Sequence, residues 1–355
     1  MIPGTFSINQ FHQFSQDISR REFLKILGTS VFASLFWPTL NFNLNFPEGQ
    51  YGRVAVDSIN VYSEPTKKSK VINTHKKDTV FLITGTYVGE DSPTNQVWYK
   101  VGEEGYAYSG NIQPVKIHLN PVTAIIPVSG ALGEITIPFT DAHWQADLSS
   151  EIAYRLYYET THWVINLVID QNKLHWYQLL DIKFNKTYYV KSDHLRIIPP
   201  EELLPINPDI PYSGKRLEVY IDRQIIVAYE NNTPVFMARV STGSSYKGSA
   251  FITPMGKFNI FFKRATRHME SDNLTSYGND LPGVPWVSYF TTNGIAIHGT
   301  YWHNNFGFPL STGCVNLPSS AAKWIYRWSI PTVPGDKQSG YYRDGTEINI
   351  INEII

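Results

Sequence analysis

Residues 295–318 read IAIHGTYWHNNFGFPLSTGCVNLP and contain an imidazole and a thiol separated by a loop. At the start of this stretch Ile295 and Ile297 alternate with Ala296 and His298. A period of two predicts a β-strand, with the isoleucines on one face and His298 on the other, beside a small residue. The sequence therefore predicts a strand whose exit places His298 in a cleft.

The thiol lies in the second half of the stretch. Cys314 is the only cysteine in the chain, so no internal disulfide can form. Pro318 suits the first turn of a helix, which we expect to begin near it, and an apolar stripe of Ala321, Trp324, Ile325 and Trp328 follows. Because Cys314 precedes this helix, we expect the unpaired N–H groups and the helix dipole to favour its thiolate form.

Together these groups have the parts that acyl transfer needs. A nucleophile, a base and donors to a developing oxyanion are required, and Cys314, His298 and the backbone N–H groups at Gly313 and Cys314 could supply them. Each residue alone has a plainer interpretation, since a free cysteine is often a small core residue and a single histidine is usually a satisfied one.

The chain around this stretch is predicted to be mainly β. Strands are expected near residues 217–221, 225–229, 235–241, 253–262 and 347–351, with one confident helix after Cys314. Upstream, the proline-rich run at 198–211 cannot supply regular ladder donors and predicts a semi-rigid connector that separates the front of the chain from a catalytic domain at 213–355.

Short strands separated by polar turns also fill residues 50–117. The pieces VYSEP at 61–65, DTV at 78–80, WYKV at 98–101 and YAYS at 106–109 resemble the outline of a bacterial SH3 domain. HWYQL at 175–179 and YVKS at 189–192 echo the later pieces, which predicts a second, diverged copy at 130–200. The alternative for that segment is an unrelated β-rich linker domain whose aromatic residues fill a core.

The first 45 residues are predicted to contain a targeting signal and a linker. SRREFLK at 19–25 precedes an uncharged apolar stretch from Ile26 to about Leu40, and the pair resembles a twin-arginine export signal. This implies export to the cell envelope, in the periplasm or on the outer face of the cytoplasmic membrane. The stretch is short and interrupted by Pro38, so a cleaved signal or a loose membrane anchor is favoured over a permanent transmembrane helix.

The net charge of the 355-residue chain is -1. A chain with so little net charge has no general field to attract nucleic acid or an anionic membrane, so neither partner is predicted on electrostatic grounds.

The motifs around Cys314 resemble the catalytic signature of the L,D-transpeptidase family, also called YkuD-like. That signature is His-Gly-Thr, a short loop with glycine, then Ser-x-Gly-Cys-x-Arg/Asn-Met/Leu, and it is matched here by residues 298–300, by Gly307 and by residues 311–317. STG at 241–243 and TPMGKF at 253–258 also resemble strands of the family, so the likeness runs from about residue 215 to the end.

The resemblance implies a peptidoglycan L,D-transpeptidase with Cys314 as nucleophile and His298 as base. The backbone N–H of Gly313 would donate a hydrogen bond to the oxyanion, and the carbonyl of Gly299 would orient the imidazole. Substrate contacts are expected from Thr300, Trp302, His303, Ser311, Thr312 and Asn316, although a surface-loop role for His303 stays equally open. Many members have His where this chain has Thr312 and Arg where it has Asn316, which leaves His298 as the one obvious base and removes a charged partner for a substrate carboxylate.

The implied reaction joins two peptide stems. Cys314 attacks the carbonyl of the third residue of a tetrapeptide donor, expels the terminal D-alanine and forms a thioester, which an amine of a neighbouring stem then resolves. No cofactor and no metal are implied. Water as acceptor would give an L,D-carboxypeptidase, and the same chemistry could attach a wall protein.

Two alternatives lie outside acyl transfer. His298, His303 and Cys314 form a chemically sensible zinc set, although no zinc-binding spacing accompanies them. The other is a non-catalytic peptidoglycan-binding protein, in which only the SH3-like modules are active. For the enzyme, these modules are expected to hold it on peptidoglycan through aromatic grooves, although Trp98 and Trp176 are equally expected as plain core residues.

Overall fold

Four β-sheets make up most of the described chain. The computed structural model describes residues 50–92, 94–244, 251–270 and 280–352, which belong to one unit by their contacts. The mainly β fold class predicted from the sequence is confirmed. The export signal predicted at 1–45 lies outside the described residues. Within them, no helix has the length and apolar character needed to cross a bilayer.

The first sheet, here called the first module, spans residues 51–115. Its spatial order is β3-β2-β6-β5-β4-β1-β7, and each paired strand runs antiparallel to its neighbour. The strands are β1 (Tyr51–Val54), β2 (Ser58–Tyr62), β3 (Val71–Lys76), β4 (Val80–Val88), β5 (Val97–Val101), β6 (Gly105–Tyr108) and β7 (Ile112–Val115).

The second module, residues 131–197, repeats this arrangement. Its order, β10-β9-β13-β12-β11-β8-β14, is that of the first sheet with every strand number raised by seven. Trp98 on β5 and Trp176 on β12 occupy matching strands and are both buried, so they are core residues and not parts of an aromatic groove. The strands are β8 (Ala131–Ile135), β9 (Phe139–His143), β10 (Ile152–Tyr157), β11 (Thr161–Ile169), β12 (His175–Asp181), β13 (Lys186–Lys191) and β14 (Leu195–Ile197).

Two five-stranded sheets form the carboxy-terminal part. One has the order β17-β16-β15-β24-β18 and the other β22-β21-β20-β19-β23, with parallel pairing only between β15 and β24 and between β21 and β22 among these described strands. The strands are β15 (Lys215–Tyr220), β16 (Ile225–Glu230), β17 (Thr233–Arg239), β18 (Gly256–Asn259), β19 (Phe262–Glu270), β20 (Asp280–Tyr289), β21 (Ala296–Gly299), β22 (Val315–Leu317), β23 (Ser339–Tyr341) and β24 (Glu347–Ile351).

The helix expected after Cys314 is present as α1, Ser319–Trp328, with Pro318 as its N-cap residue. Its apolar stripe is buried through Ala321, Ile325 and Trp328, in a core shared by both five-stranded sheets. This core fixes where α1 lies, and with it the strand β22 that leads into the helix.

The front modules are not held apart from the catalytic part, contrary to the expectation from the proline-rich run. Trp163 of the second module lies in the same core as α1, and the Thr161 hydroxyl donates to Ala265 O at 2.7 Å. The connector itself packs its Leu203 and Ile206 against that core. Proline explains the irregular backbone of the connector, but its apolar side chains bind it to the domain instead of spacing it away.

Candidate active site

His298 lies on β21, the strand next to the edge strand β22 of the second five-stranded sheet, and is 2% exposed. Its Nδ1 lies 2.9 Å from the carbonyl oxygen of Gly299. Because a carbonyl can only accept, Nδ1 carries the ring proton and Nε2 keeps a free lone pair. Burial lowers the pKa of His298 to about 4, and the bond to Gly299 offsets part of that effect. The imidazole is therefore neutral at pH 7 and able to accept a proton.

Cys314 is half-buried and lies directly before β22. In the parallel pair of β21 and β22, Ile297 is opposite Val315 and His298 is opposite Asn316. Extending this register by one residue places Cys314 opposite Ala296, whose backbone N–H interacts with the thiol. The strand pairing thus brings the thiol and the imidazole to adjacent strands of one sheet edge, although a loop separates them in sequence.

The expectation of a thiolate at a helix amino end is wrong for this resting structure. A strand that the sequence analysis missed, β22, lies between Cys314 and the start of α1 at Ser319. The field of a helix end fades within a turn, so the dipole has little effect at the sulfur. Burial raises the pKa of Cys314, and the Ala296 N–H lowers it only in part. The pair at rest is a neutral thiol and a neutral imidazole.

The turn that carries Cys314 is held by its own hydrogen bonds. Ser311 Oγ donates to Cys314 O and accepts from Gly313 N at 3.2 Å. Ser311 is buried and its hydroxyl is used within the turn, so its expected role as a substrate contact gives way to a structural one. The Gly313 N–H, expected as an oxyanion donor, already has a partner at rest, which leaves the Cys314 N–H as the simpler donor. Gly313 has φ +115, a conformation that favours glycine.

Thr253 and Gly243 support this turn, and the sequence analysis assigned neither of them a role. The Thr253 hydroxyl accepts from Gly243 N and donates to Gly313 O, both at 2.8 Å. A Cβ on Gly243 would lie 2.9 Å from the Gly313 Cα and closer still to the backbone of Phe251. The STG and TPMGKF motifs therefore meet at the Cys314 turn. The only sequence feature that could have indicated this role is the position of Thr253 shortly before the strand that begins at Gly256.

Asn316 and His303 form a buried pair beside the base. Asn316 is 2% exposed, and its Nδ2 lies 3.1 Å from His303 Nε2. Burial, with a smaller effect from the nearby His298, lowers the pKa of His303 to about 3. The expectation that Asn316 contacts substrate is not met at rest, because its side chain is packed inward against the loop. His303 is likewise a buried neighbour of the base and not a surface-loop residue.

The remaining expected contacts surround the two reacting groups. Thr312 is exposed next to Cys314, and Trp302 packs its ring 5.8 Å from that of His298, measured between centroids. Thr300 is buried, and its hydroxyl has no hydrogen-bond partner among the described residues. Trp302 also lines a cavity of about 320 Å³ whose wall includes Arg53 of the first module and Tyr157 of the second.

The side chains around His298 and Cys314 were also compared with the arrangement that a metal ion needs. Among the described residues, no three side chains of His, Cys, Asp or Glu are grouped to hold an ion. Nδ1 of His298 faces a carbonyl and Nε2 of His303 faces the Asn316 amide. The grouping of His298, His303 and Cys314 considered for zinc is therefore not set up as a ligand shell.

A half-buried thiol and a neutral histidine on paired strands are the side chains that acyl transfer through a thioester requires. Residues 214–350 match the family model of the YkuD L,D-transpeptidase catalytic domain. No protein with a curated description matches the sequence.

Similar solved structures include L,D-transpeptidases from several bacteria. An L,D-transpeptidase from Mycobacterium smegmatis is 16% identical over 47% of this chain and 74% of that one, with a TM-score of 0.31. The catalytic domain of the Enterococcus faecium L,D-transpeptidase is 21% identical over 39% and 96%, with a TM-score of 0.29. An L,D-transpeptidase from Xylanimonas cellulosilytica is 25% identical over 39% and 60%, with a TM-score of 0.27.

Proposed function

We propose that the chain is a peptidoglycan L,D-transpeptidase that uses Cys314 as nucleophile and His298 as general base. The observation that carries this proposal is the parallel pairing of β21 with β22, which puts the half-buried thiol beside the strand that holds a neutral imidazole. The imidazole has its Nδ1 fixed on Gly299 O, so Nε2 is the proton acceptor.

Acylation begins from the neutral pair. As the Cys314 sulfur attacks the carbonyl carbon of the third stem residue, its proton passes to Nε2 of His298. The oxyanion accepts a hydrogen bond from the Cys314 N–H, joined by the Gly313 N–H once that amide leaves Ser311. Collapse breaks the C–N bond, and the imidazolium returns the proton to the departing amine of D-alanine. A thioester and a neutral His298 remain.

Deacylation reverses these roles. The amine of a neighbouring stem attacks the thioester carbonyl and gives a proton to His298, and the C–S bond then breaks with the sulfur regaining that proton. The product is a cross-link between third residues. Water in place of the amine gives the carboxypeptidase product, and an amine on a wall protein would give attachment of that protein.

Purified enzyme incubated with tetrapeptide-containing muropeptides tests the reaction. Mass spectrometry should find cross-linked dimers and free D-alanine with the wild type and neither with Cys314→Ala. Tyr212→Ala, at an exposed residue of the connector, is the control and should keep the same products. Dimers formed by Cys314→Ala would overturn the thiol mechanism. Purified protein that contains one zinc ion per chain, and that loses its activity when a chelator is added, would favour the metal alternative.

We propose that both front modules are SH3-like domains that hold the enzyme on peptidoglycan. The core positions of Trp98 and Trp176 leave the half-buried pair Tyr87 and Tyr106, whose rings are 4.9 Å apart, as an aromatic surface on the first module. Tyr87→Ala with Tyr106→Ala should weaken pelleting with isolated sacculi, while Tyr212→Ala, an exposed aromatic of the connector, should not. Equal pelleting of all three proteins would count against this role.

The proposed site of action is the cell envelope. The motif at residues 19–25 supports export in the folded state through the twin-arginine route. Replacement of Arg20 and Arg21 by lysine should leave the protein inside the cell, and a fractionation experiment that still finds it in the envelope would remove this part of the proposal.

A further inference from the structure

The loop between the two reacting groups is bound on its outer side by the first module. This loop, Tyr301–Asn305, exchanges hydrogen bonds with side chains and backbone groups of the first module, which lie far away in sequence. Those bonds are Arg53 Nη2 to Tyr301 O at 2.6 Å, Asn304 N to Gly110 O at 2.9 Å, Asn304 Nδ2 to Ser109 O at 3.3 Å, Tyr108 Oη to Asn305 Oδ1 at 2.8 Å and Asn95 Nδ2 to Asn305 Oδ1 at 3.3 Å.

The inner side of the same loop contacts the surroundings of the base. Trp302 packs against the His298 ring, and Asn305 N donates to His303 Nδ1 at 3.3 Å. His303 in turn contacts Asn316, the residue opposite His298 in the strand pair. Asn305 is therefore bound to the first module through its side chain and to the site through its backbone.

Arg53 makes the position of this loop hard to change. It is 1% exposed and its guanidinium is divided between Gln113, Asp78 and the carbonyl of Tyr301. A buried cation is tolerated only when its donors are satisfied, so movement of Tyr301 away from Arg53 would leave a costly unpaired donor. The Tyr157 ring lies 4.1 Å from the same guanidinium, which ties the second module to this contact as well.

We propose that the first module completes the active site, with Arg53, Asn95 and Tyr108 acting as positioning residues that hold loop 301–305 against His298. This inference rests on the proposed function. It gives the module a role in the chemical step that is separate from any hold on the cell wall. The loop excludes water from the base, so a loosened loop slows acylation and lets His298 titrate more like an exposed imidazole.

Tyr108→Phe is the first test, because it removes only the hydroxyl that donates to Asn305. Tyr51→Phe is the matched control in the same module, since the Tyr51 hydroxyl makes no hydrogen bond to the described residues. Acylation of Cys314 by imipenem, followed by intact-mass spectrometry, should slow about tenfold in Tyr108→Phe and stay unchanged in Tyr51→Phe. The midpoint of the acid limb in the pH–rate profile should also move to a higher pH than in the wild type.

A second pair of variants separates positioning from folding. Asn305→Asp keeps an oxygen that accepts from Tyr108 and Asn95, so it should retain most of the acylation rate. Asn305→Leu loses that acceptor for both donors and should fall at least to the level of Tyr108→Phe, with no further loss when Tyr108→Phe is added to it. Thermal unfolding followed by circular dichroism checks that every variant is folded.

The outcomes distinguish this inference from the function on which it rests. No imipenem adduct and no muropeptide product with the wild type would remove both. An adduct in the wild type, with undiminished rates and an unmoved acid limb in folded Tyr108→Phe and Asn305→Leu, would remove the inference alone. A loss in Tyr51→Phe as large as that in Tyr108→Phe would also contradict it.

Discussion

Thr253 joins two segments that lie far apart in sequence, since its hydroxyl links Gly243 N to Gly313 O. Thr253→Val keeps the shape of the side chain but leaves this buried amide and carbonyl unpaired. We expect the free energy of unfolding to fall by about 2 kcal/mol and acylation of Cys314 to slow. Thr253→Ser retains the hydroxyl and is the control. Urea unfolding that places valine and serine variants at equal stability would contradict this account.

The protonation of His298 determines the acid limb of the activity. Its pKa is lowered to about 4 by burial, so the base stays neutral as the pH falls through the range where a free imidazole would be charged. The rate of Cys314 acylation should therefore lose half its value near pH 4 and not near pH 6.5. Single-turnover rates, measured while near-ultraviolet circular dichroism reports folded protein, test this. A midpoint near 6.5 would mean that water reaches the ring.

The sequence points to His298 and Cys314 as the proposed reacting residues, but it does not predict their protonation states. The motif spacing of His298, Gly299 and Cys314 was enough to predict the imidazole, the thiol and the backbone carbonyl that faces the imidazole. The raised pKa of Cys314 and the inward packing of Asn316 could not be predicted, because both depend on burial by strands distant in sequence.

At the scale of elements, β20 shows where local sequence signals fail. Its sequence DLPGVPWVSY contains two prolines and a glycine, and Trp286 has φ +60, yet it is a central strand of the sheet. Such residues predict a turn and not a strand, so no strand is expected at this segment from its sequence. Tertiary contacts override the local preference, since Trp286 is buried in the core next to Tyr326 of α1. Three-residue β22 was missed because so short a run has no detectable period.

Gly283 on β20 tests the contact between the second module and the catalytic domain. A Cβ there would lie 2.3 Å from the His162 ring, and φ is +71. Gly102 has φ +48 with nothing within 4 Å of such a Cβ, so Gly102→Ala measures the backbone cost by itself. We expect about 1 kcal/mol for Gly102→Ala and clearly more for Gly283→Ala. Equal losses in urea unfolding would show that the modules are less closely packed than described.

At the scale of the whole molecule, three buried histidines make the fold sensitive to acid. Burial is the main cause that lowers the pKa of His162 to about 3, of His298 to about 4 and of His303 to about 3. The unfolded chain takes up protons on these histidines near pH 6.5, while the folded chain does not. Their contribution to the free energy of unfolding is therefore complete above that pH and is lost as the pH falls. At pH 5 the loss is on the order of 2 kcal/mol for each histidine.

Urea unfolding at pH 7 and pH 5 measures this loss, and His162→Gln should reduce the difference between the two. His268 behaves in the opposite sense: burial lowers its pKa, but bonds and charges from Asp181 and Asp280 outweigh that effect and raise it. The stability that His268 contributes is complete below pH 6.5 and is lost as the pH rises through its raised folded-state pKa, so on acidification from pH 7 to pH 5 it offsets part of the loss from the other three histidines. Equal stability at the two pH values would contradict neutral burial of the three histidines.

The arrangement of the modules was the least predictable level. Repeated tryptophan and tyrosine strands gave the expectation of a second copy, which stays a prediction as to its family, and the connector suggested separation. The contact between Arg53 and Tyr301 joins residues 248 positions apart, and no local pattern marks such a pair. Only the folded chain shows that the first module reaches the loop beside His298.

The most direct test of the central claim is to find the acyl group. Wild-type enzyme mixed with a tetrapeptide-containing muropeptide, quenched in acid and digested, should yield a peptide in which Cys314 carries the stem as a thioester and one D-alanine is released for each adduct. An acyl group on another residue, or turnover that persists in Cys314→Ala, would contradict the assignment of the thiol as nucleophile.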